Sequence, residues 1–178
     1  MRLSTKAVLS LCATLLLGAC ASQELGQYAQ SRPSLDLARF FAGRTQAWGM
    51  FQKRDGSVAR RFRVAIEGRV DGNKLTLDER FTYDDGETQQ RIWTLLREDD
   101  GRWRGTAGDV RGAAVGETAG NAFHWGYTLI LPVKGDTYDM HMDDWMYLID
   151  ENTMVNRASM RKFGVEVGQV TLFFRKED

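Results

Sequence analysis

The sequence predicts an all-β domain, a meander of long antiparallel strands closing into a barrel behind one short N-terminal helix. Three observations predict it. Turn signals recur steadily, at Asp55-Gly56, Asp71-Gly72, Asp84-Asp85-Gly86, Asp99-Asp100-Gly101, Gly135-Asp136 and Glu151-Asn152, as successive hairpins require. Their spacing of roughly 15 residues leaves strands of about 10 to 12, longer than the usual 5 to 6, and long twisted strands curl and close. Between the turns apolar and polar residues alternate, the period of a sheet with one buried face.

The chain begins differently. Arg2 and Lys6 precede an apolar run from Ala7 to Leu17, followed by Gly18, Ala19 and Cys20, the order of a secretory signal. A hydrocarbon core needs about 20 helical residues, so the run from Ala7 to Ala19 is too short for a permanent span. Leu15-Leu16-Leu17-Gly18-Ala19-Cys20 resembles a bacterial lipobox. That resemblance implies removal of residues 1–19, diacylglycerol and palmitate chains on Cys20, and a membrane tether. Ala21 stands where an aspartate would mark inner-membrane retention, so the expected address is the periplasmic face of the outer membrane. A plain secretory signal with an incidental cysteine is the alternative.

Cleavage would leave 159 of the 178 residues, enough for one domain burying about 70% of its unfolded surface. The expected organisation is signal peptide 1–19, lipidated tether 20–33 and barrel 34–178. Lys+Arg and Asp+Glu are equal at 24 each, and no basic stripe interleaves with aromatics, which argues against nucleic acid as a partner. Cys12 leaves with the signal and Cys20 carries lipid, so no disulfide is available.

Residues 21–33 are polar and aperiodic, as a tether would be. Ser34 is placed to cap a helix through Phe41, with Asp36 in its first turn, Gly43 ending it and Leu37, Phe40 and Phe41 as its buried side. Such a helix either packs simply or covers a barrel end. Along the second strand Val58, Phe62, Val64 and Ile66 share one face and Arg61, Arg63, Glu67 and Arg69 the other. The third puts Leu75, Leu77, Phe81 and Tyr83 on its apolar side, with Glu79 among them. The charged outer faces lack the lipid-facing band of a transmembrane barrel.

Turn chemistry sets the register. A two-residue turn at Asp71-Gly72 places Ile66 opposite Leu77 and Val64 opposite Glu79. A three-residue loop at Asp84-Asp85-Gly86, with Gly86 left-handed, pairs Leu75 with Leu95, Leu77 with Trp93 and Glu79 with Arg91. The same loop at Asp99-Asp100-Gly101 sets Leu95 against Gly105, Trp93 against Ala107 and Arg91 against Asp109. The result is a row of Glu79, Arg91 and Asp109 on an otherwise apolar face. Buried charges need partners, and an arginine between two carboxylates serves both. The row reads either as an internal salt-bridge network fixing register, as a polar anchor for a ligand head group in an apolar cavity, or as catalytic machinery.

Gly105, Gly108, Gly112, Gly116 and Gly120 leave 105–120 thin in side chains, so the sheet there is bulged, bent or closely approached. Beyond Asn121, Phe123, Trp125, Tyr127, Leu129, Leu131 and Val133 face one way. A turn at Gly135-Asp136 brings Val133 to Tyr138, Leu131 to Met140 and Leu129 to Met142. A turn at Glu151-Asn152 brings Tyr147 near Asn156 and Trp145 near Ala158.

Glu79 through Gly86, Arg91-Ile92-Trp93, Gly120-Asn121-Ala122, Asp143 through Tyr147, and Asn156-Arg157 with Lys162-Phe163-Gly164 together resemble the bacterial lipoprotein family called domain of unknown function 3833. The resemblance runs from about Phe40 to Phe174. It implies a Gram-negative envelope lipoprotein and carries no activity or catalytic residues. Phe41, Gly43 and Trp48 resemble, more loosely, the first strand of lipocalin-type (calycin) barrels.

Other chemistry finds little support. His124 and His141 are the only histidines and fall on different strands, so no metal site and no cofactor are expected. No G-x-S-x-G elbow accompanies the serines, and Asp143 and Asp144 point to opposite faces of a strand. The leading expectation is a barrel holding a small apolar or lipid-like molecule, lined by Phe81, Trp93, Trp125, Tyr127 and Met140, with Glu79, Arg91 and Asp109 at its polar end. A filled barrel meeting a protein partner through Trp145 and Tyr147 is the second reading. An enzyme acting on envelope lipid is the third.

Overall fold

The computed structural model describes residues 23–133 and 135–177; the signal segment and Cys20 lie outside it. Ten antiparallel strands form one closed, lipocalin-like barrel. They are β1 Gly43–Lys53, β2 Val58–Asp71, β3 Lys74–Tyr83, β4 Thr88–Arg97, β5 Trp103–Thr106, β6 Val110–Ala119, β7 Ala122–Val133, β8 Asp136–Leu148, β9 Thr153–Lys162 and β10 Val165–Lys176. Each pairs with its chain neighbours, and β10 closes on β1 from Thr45↔Lys176 to Lys53↔Gly168. Closure removes every free sheet edge except where one strand is short.

The helix is one residue pair shorter than expected at its start. Helix α1 spans Leu37–Phe41 and is capped by Asp36, whose carboxylate accepts from Arg39 N at 3.0 Å, rather than by Ser34. Its C-terminal carbonyls are met by Lys176, whose Nζ donates to Phe40 O at 2.9 Å and Ala42 O at 2.5 Å. Leu37, Phe40 and Phe41 are buried, and the Phe41 ring meets Phe174 edge to face at 5.7 Å. The helix therefore plugs one barrel end. A Cβ on Gly68 would lie 1.7 Å from Phe41 O, so only glycine permits that approach. Asp36→Ala removes the cap and is expected to cost about 1 kcal/mol in a denaturant melt.

Part of the segment expected as tether packs on the barrel. A 3-10 turn, Leu25–Tyr28, sets Tyr28 against Trp145 and Tyr147, with ring centroids 6.2 and 5.5 Å apart.

Register follows the turn chemistry unevenly. The β3–β4 pairs Leu75↔Leu95, Leu77↔Trp93 and Glu79↔Arg91 are as expected, and Gly86 is left-handed at φ 87°. At the β2–β3 turn Asp71 pairs with Lys74, so the loop is Gly72-Asn73, not Asp71-Gly72. Gly72 at φ 59° takes the first central position of a type II′ turn. The ladder moves by two residues, Ile66 facing Glu79 and Val64 facing Phe81, and the inward face is kept. The β7–β8 ladder moves by two likewise, Leu131 facing Tyr138 and Leu129 facing Met140.

The β8–β9 correction is larger. Ile149 N donates to Thr153 O, so Asp150-Glu151-Asn152 forms a three-residue loop where a two-residue turn was expected. Met146 then faces Asn156 and Asp144 faces Ala158. A one-residue slip exchanges faces, and here it turns Asp144 and Asn156 inward. Trp48 points outward and is 42% exposed, so it does not support the lipocalin-type likeness of the first strand.

Candidate functional site

The α1 end of the barrel is solid. Leu75, Leu95, Phe123 and Met154 are completely buried beneath the helix. Toward the other end the interior opens into a cavity of about 660 Å³, within the range of small-molecule sites. Its walls are Val64, Ile66, Phe81, Trp93, Trp125 and Tyr127, with Ala158 and Leu172 opposite. Arg60, Glu87 and Gln89 stand at the mouth. A second groove, of about 730 Å³, lies beside Trp48 and Phe173 and is open to solvent.

The wall also opens sideways, for a reason visible in strand length. Strand β5 has four residues, and β4 pairs with it only from Thr94 to Arg97. Residues 88–93 of β4 therefore have β3 on one side and no ladder on the other. Strand β6 pairs with β7 as far as Val110↔Leu129, and Ile130 N donates to Asp109 O at 2.7 Å, leaving Leu131 to Val133 without a ladder on that side. The glycine-rich stretch 105–120 is bulged, with a register shift between Arg111 and Val115 and Gly112 at φ 71°. The close approach anticipated there comes from indoles: a Cβ on Gly105 would sit 3.2 Å from Trp125 and 3.3 Å from Trp93.

Arg91 spans this opening. The β4–β5 ladder ends before Trp93 and Ala107 can pair, yet the arginine still reaches Asp109. Its Nε donates to both carboxylate oxygens at 3.0 and 2.9 Å, and Nη2 donates to Oδ2 at 2.6 Å. Glu79 is more distant, Oε2 lying 4.0 Å from Arg91 Nη1, and its side chain is only 13% exposed. The expected row is assembled, but the arginine is committed to one of its two acids. Burial works against the Arg91 charge, yet the Asp109 hydrogen bonds and the field of Glu79 hold its pKa above the ordinary value. Burial pushes Glu79 up to about 7; Arg91 opposes that, and the negative fields of Asp109 and Asp144 add to it.

A second polar group sits deeper and was not anticipated from the sequence. Asp144 is buried, receiving Asn156 Nδ2 on Oδ1 and Tyr127 Oη on Oδ2 at 3.3 Å. Burial raises its pKa to about 6, against hydrogen bonds from Asn156 and Tyr127 and the N–H of Trp125 that favour the charge. Trp125 Nε1 leans toward this carboxylate without reaching hydrogen-bond geometry and is left buried without a partner. Burial and the Asp144 charge keep the Tyr127 hydroxyl well above its usual pKa.

Above these groups lies an aromatic cluster. Trp93 and Trp125 have ring centroids 4.7 Å apart, and Tyr127 meets them at 5.4 and 5.2 Å. Phe81 lies under the Arg91 guanidinium at 5.4 Å. Met140 is buried in the core but does not line the cavity. His124 stacks on Trp145 at 4.0 Å and pairs with Asp143 at 2.6 Å on the outer surface, while His141 is exposed. Among the described residues no cluster of His, Cys, Asp and Glu is arranged to hold a metal.

With this geometry in place, comparisons define its relatives. A family model described as a protein of unknown function, DUF3833, matches residues 14–176. The chain belongs to the DUF3833 family. No curated protein matches it by sequence. Among solved structures, the DUF3833 barrel is similar to a protein of unknown function from the DUF3598 family of Nostoc punctiforme, with TM-score 0.58 and 11% identity over 82% of this chain. It spans about half, 51%, of that chain's length. It is also similar to the S-type phycobiliprotein lyase CPES from Guillardia theta, with TM-score 0.59 and 7% identity over 88% of this chain and 99% of that one. Identities this low establish a shared fold alone.

Proposed function

We propose that this DUF3833 protein is a binding module that holds a small apolar or lipid-like molecule inside its barrel, tethered by an acylated Cys20 to the periplasmic face of the outer membrane. The carrying observation is the aromatic cavity of about 660 Å³, open at one end and provided with a compact polar group at its waist. Concave, mostly apolar sites with few oriented polar groups are the usual form of small-molecule pockets. A solved neighbour named as a phycobiliprotein lyase shares this barrel, which is compatible with an interior that receives a ligand. The filled-barrel reading is less well supported, because Trp145 and Tyr147, its proposed contact, are covered by Tyr28 of the same chain.

Ala158 lies in the cavity wall, so Ala158→Phe fills space that a ligand would occupy. The expected result is at least a tenfold loss of binding, about 1.4 kcal/mol, with the barrel intact by circular dichroism. The measurement is mass spectrometry of lipids extracted from the purified full chain and its variant. Equal recovery from both, or none from either, overturns carriage. For the address, the wild type is expected to carry acyl chains on Cys20, and Cys20→Ala to lack them and to leave the outer-membrane fraction; a wild type without acyl chains, or a variant with unchanged fractionation, overturns the tether.

A further inference from the structure

We propose that the molecule held in the barrel carries its polar end as a protonated amine, seated between the carboxylates of Glu79 and Asp144 beneath the rings of Trp93, Trp125 and Tyr127. This rests on the binding reading above and specifies its ligand class.

Charge balance in the cavity carries the argument. Arg91 is the residue that a head-group anion would seek, but its Nε and Nη2 are engaged by Asp109 in a forked pair, and its Nη1 faces Glu79 at 4.0 Å. Such bidentate pairs are strong and fix the arginine's geometry on one carboxylate. Setting that one-to-one pair aside leaves Glu79 and Asp144, two acids facing one cavity with no second cation to balance them. Glu79 makes no hydrogen bond among the described residues and stands 4.0 Å from the arginine. An incoming carboxylate or phosphate would thus meet a surplus of negative charge, whereas an ammonium would meet acceptors.

The walls point the same way. Aromatic faces attract cations, most strongly where the site is desolvated, and Trp93, Trp125, Tyr127 and Phe81 surround this position.

Burial raises Glu79 to about 7 and Asp144 to about 6, so the preference for an amine strengthens as pH rises through that range. The groups facing Glu79 are Arg91, Asp109 and Asp144, with Asp78 on the outer face of β3; those facing Asp144 are Asn156, Trp125, Tyr127 and, from β7's outer side, His124.

The test uses the full chain carrying Cys20→Ser, titrated with decylamine, decan-1-ol and decanoic acid, which share one tail. Tryptophan fluorescence and thermal melting are read at about pH 8 and about pH 5. Expected at the higher pH is decylamine binding at least tenfold tighter than the alcohol, with the ratio falling below about threefold at the lower pH as the acids become neutral. In Glu79→Gln with Asp144→Asn, checked for folding by circular dichroism, the amine-to-alcohol ratio collapses toward one; Glu79→Gln alone is the milder variant should the pair not fold. Decanoic acid or the alcohol binding as well as the amine at both pH values overturns the amine and leaves the cavity reading standing. Failure of all three to bind or to raise the melting temperature overturns both.

Discussion

Arg91→Met is expected to destabilise the barrel by about 3–5 kcal/mol, the cost of leaving a half-buried carboxylate without its cation. Two features make this position severe. The arginine holds Asp109 through three N–H···O contacts, and it does so across the gap where β4 residues 88–93 lack a strand partner. Its loss removes the hydrogen-bonded charge pair across that opening and leaves the Trp93 contacts with Trp125 and Tyr127 to bridge it. Methionine keeps the apolar stem, so the loss reports the guanidinium rather than packing. The companion variant is Asp109→Leu, which strands the arginine instead. If the pair acts as a unit, Arg91→Met with Asp109→Leu will be no worse than either single change, giving a coupling above about 2 kcal/mol in a double-mutant cycle. Urea melts of the three variants decide it. Additive losses would mean that the ion pair is incidental and that the wall is held by backbone alone.

The same pair shows why some of the site was legible before the structure and some was not. Asp84-Asp85-Gly86 and Asp99-Asp100-Gly101 place a glycine where a three-residue loop needs a left-handed residue, and both adopt it, Gly86 at φ 87° and Gly101 at φ 85°. The register between β3 and β4 follows from that one conformational requirement, and Glu79, Arg91 and Asp109 come together because side chains two apart share a face. The Asp71-Gly72 turn misleads because a glycine can occupy either central position of a two-residue turn; the error is even, so the inward face survives it. The Asp150-Glu151-Asn152 loop contains no glycine to mark its length. An odd error results, and it conceals Asp144 and Asn156. The one available signal was the alternation of β8 itself: Met140, Met142, Met146 and Leu148 share a parity that includes Asp144. Trp145, an aromatic of opposite parity, obscured it, because its burial comes from Tyr28 on the outer surface and not from the core.

Glu79→Gln is expected to stabilise the protein above neutrality and to leave it unchanged in acid. Glu79 ionises near 4.5 in the unfolded chain and near 7 in the barrel, because burial disfavours its charge. Between those values the folded state binds the extra proton, so stability falls as pH rises from about 4.5 to about 7 and stays reduced beyond. At about 1.4 kcal/mol per pH unit the full cost is roughly 3 kcal/mol. Glutamine has the same shape and no charge to bury, so the gain in a urea melt should be absent at about pH 4, partial at about pH 6 and near 3 kcal/mol at about pH 8. Exposed acids whose arginine partners hold their pKa down, such as Asp84 beside Arg61 and Asp139 beside Arg111, tilt the pH profile the other way. They are common to both proteins and cancel in the difference. Parallel profiles for wild type and variant would place Glu79 in contact with solvent. The ionised acid that weakens the barrel is also the acceptor an amine would meet, so decylamine at about pH 8 will stabilise the wild type more than the variant and narrow the gap between them. A gap that decylamine leaves unchanged would separate the cost of the buried acid from any role in binding.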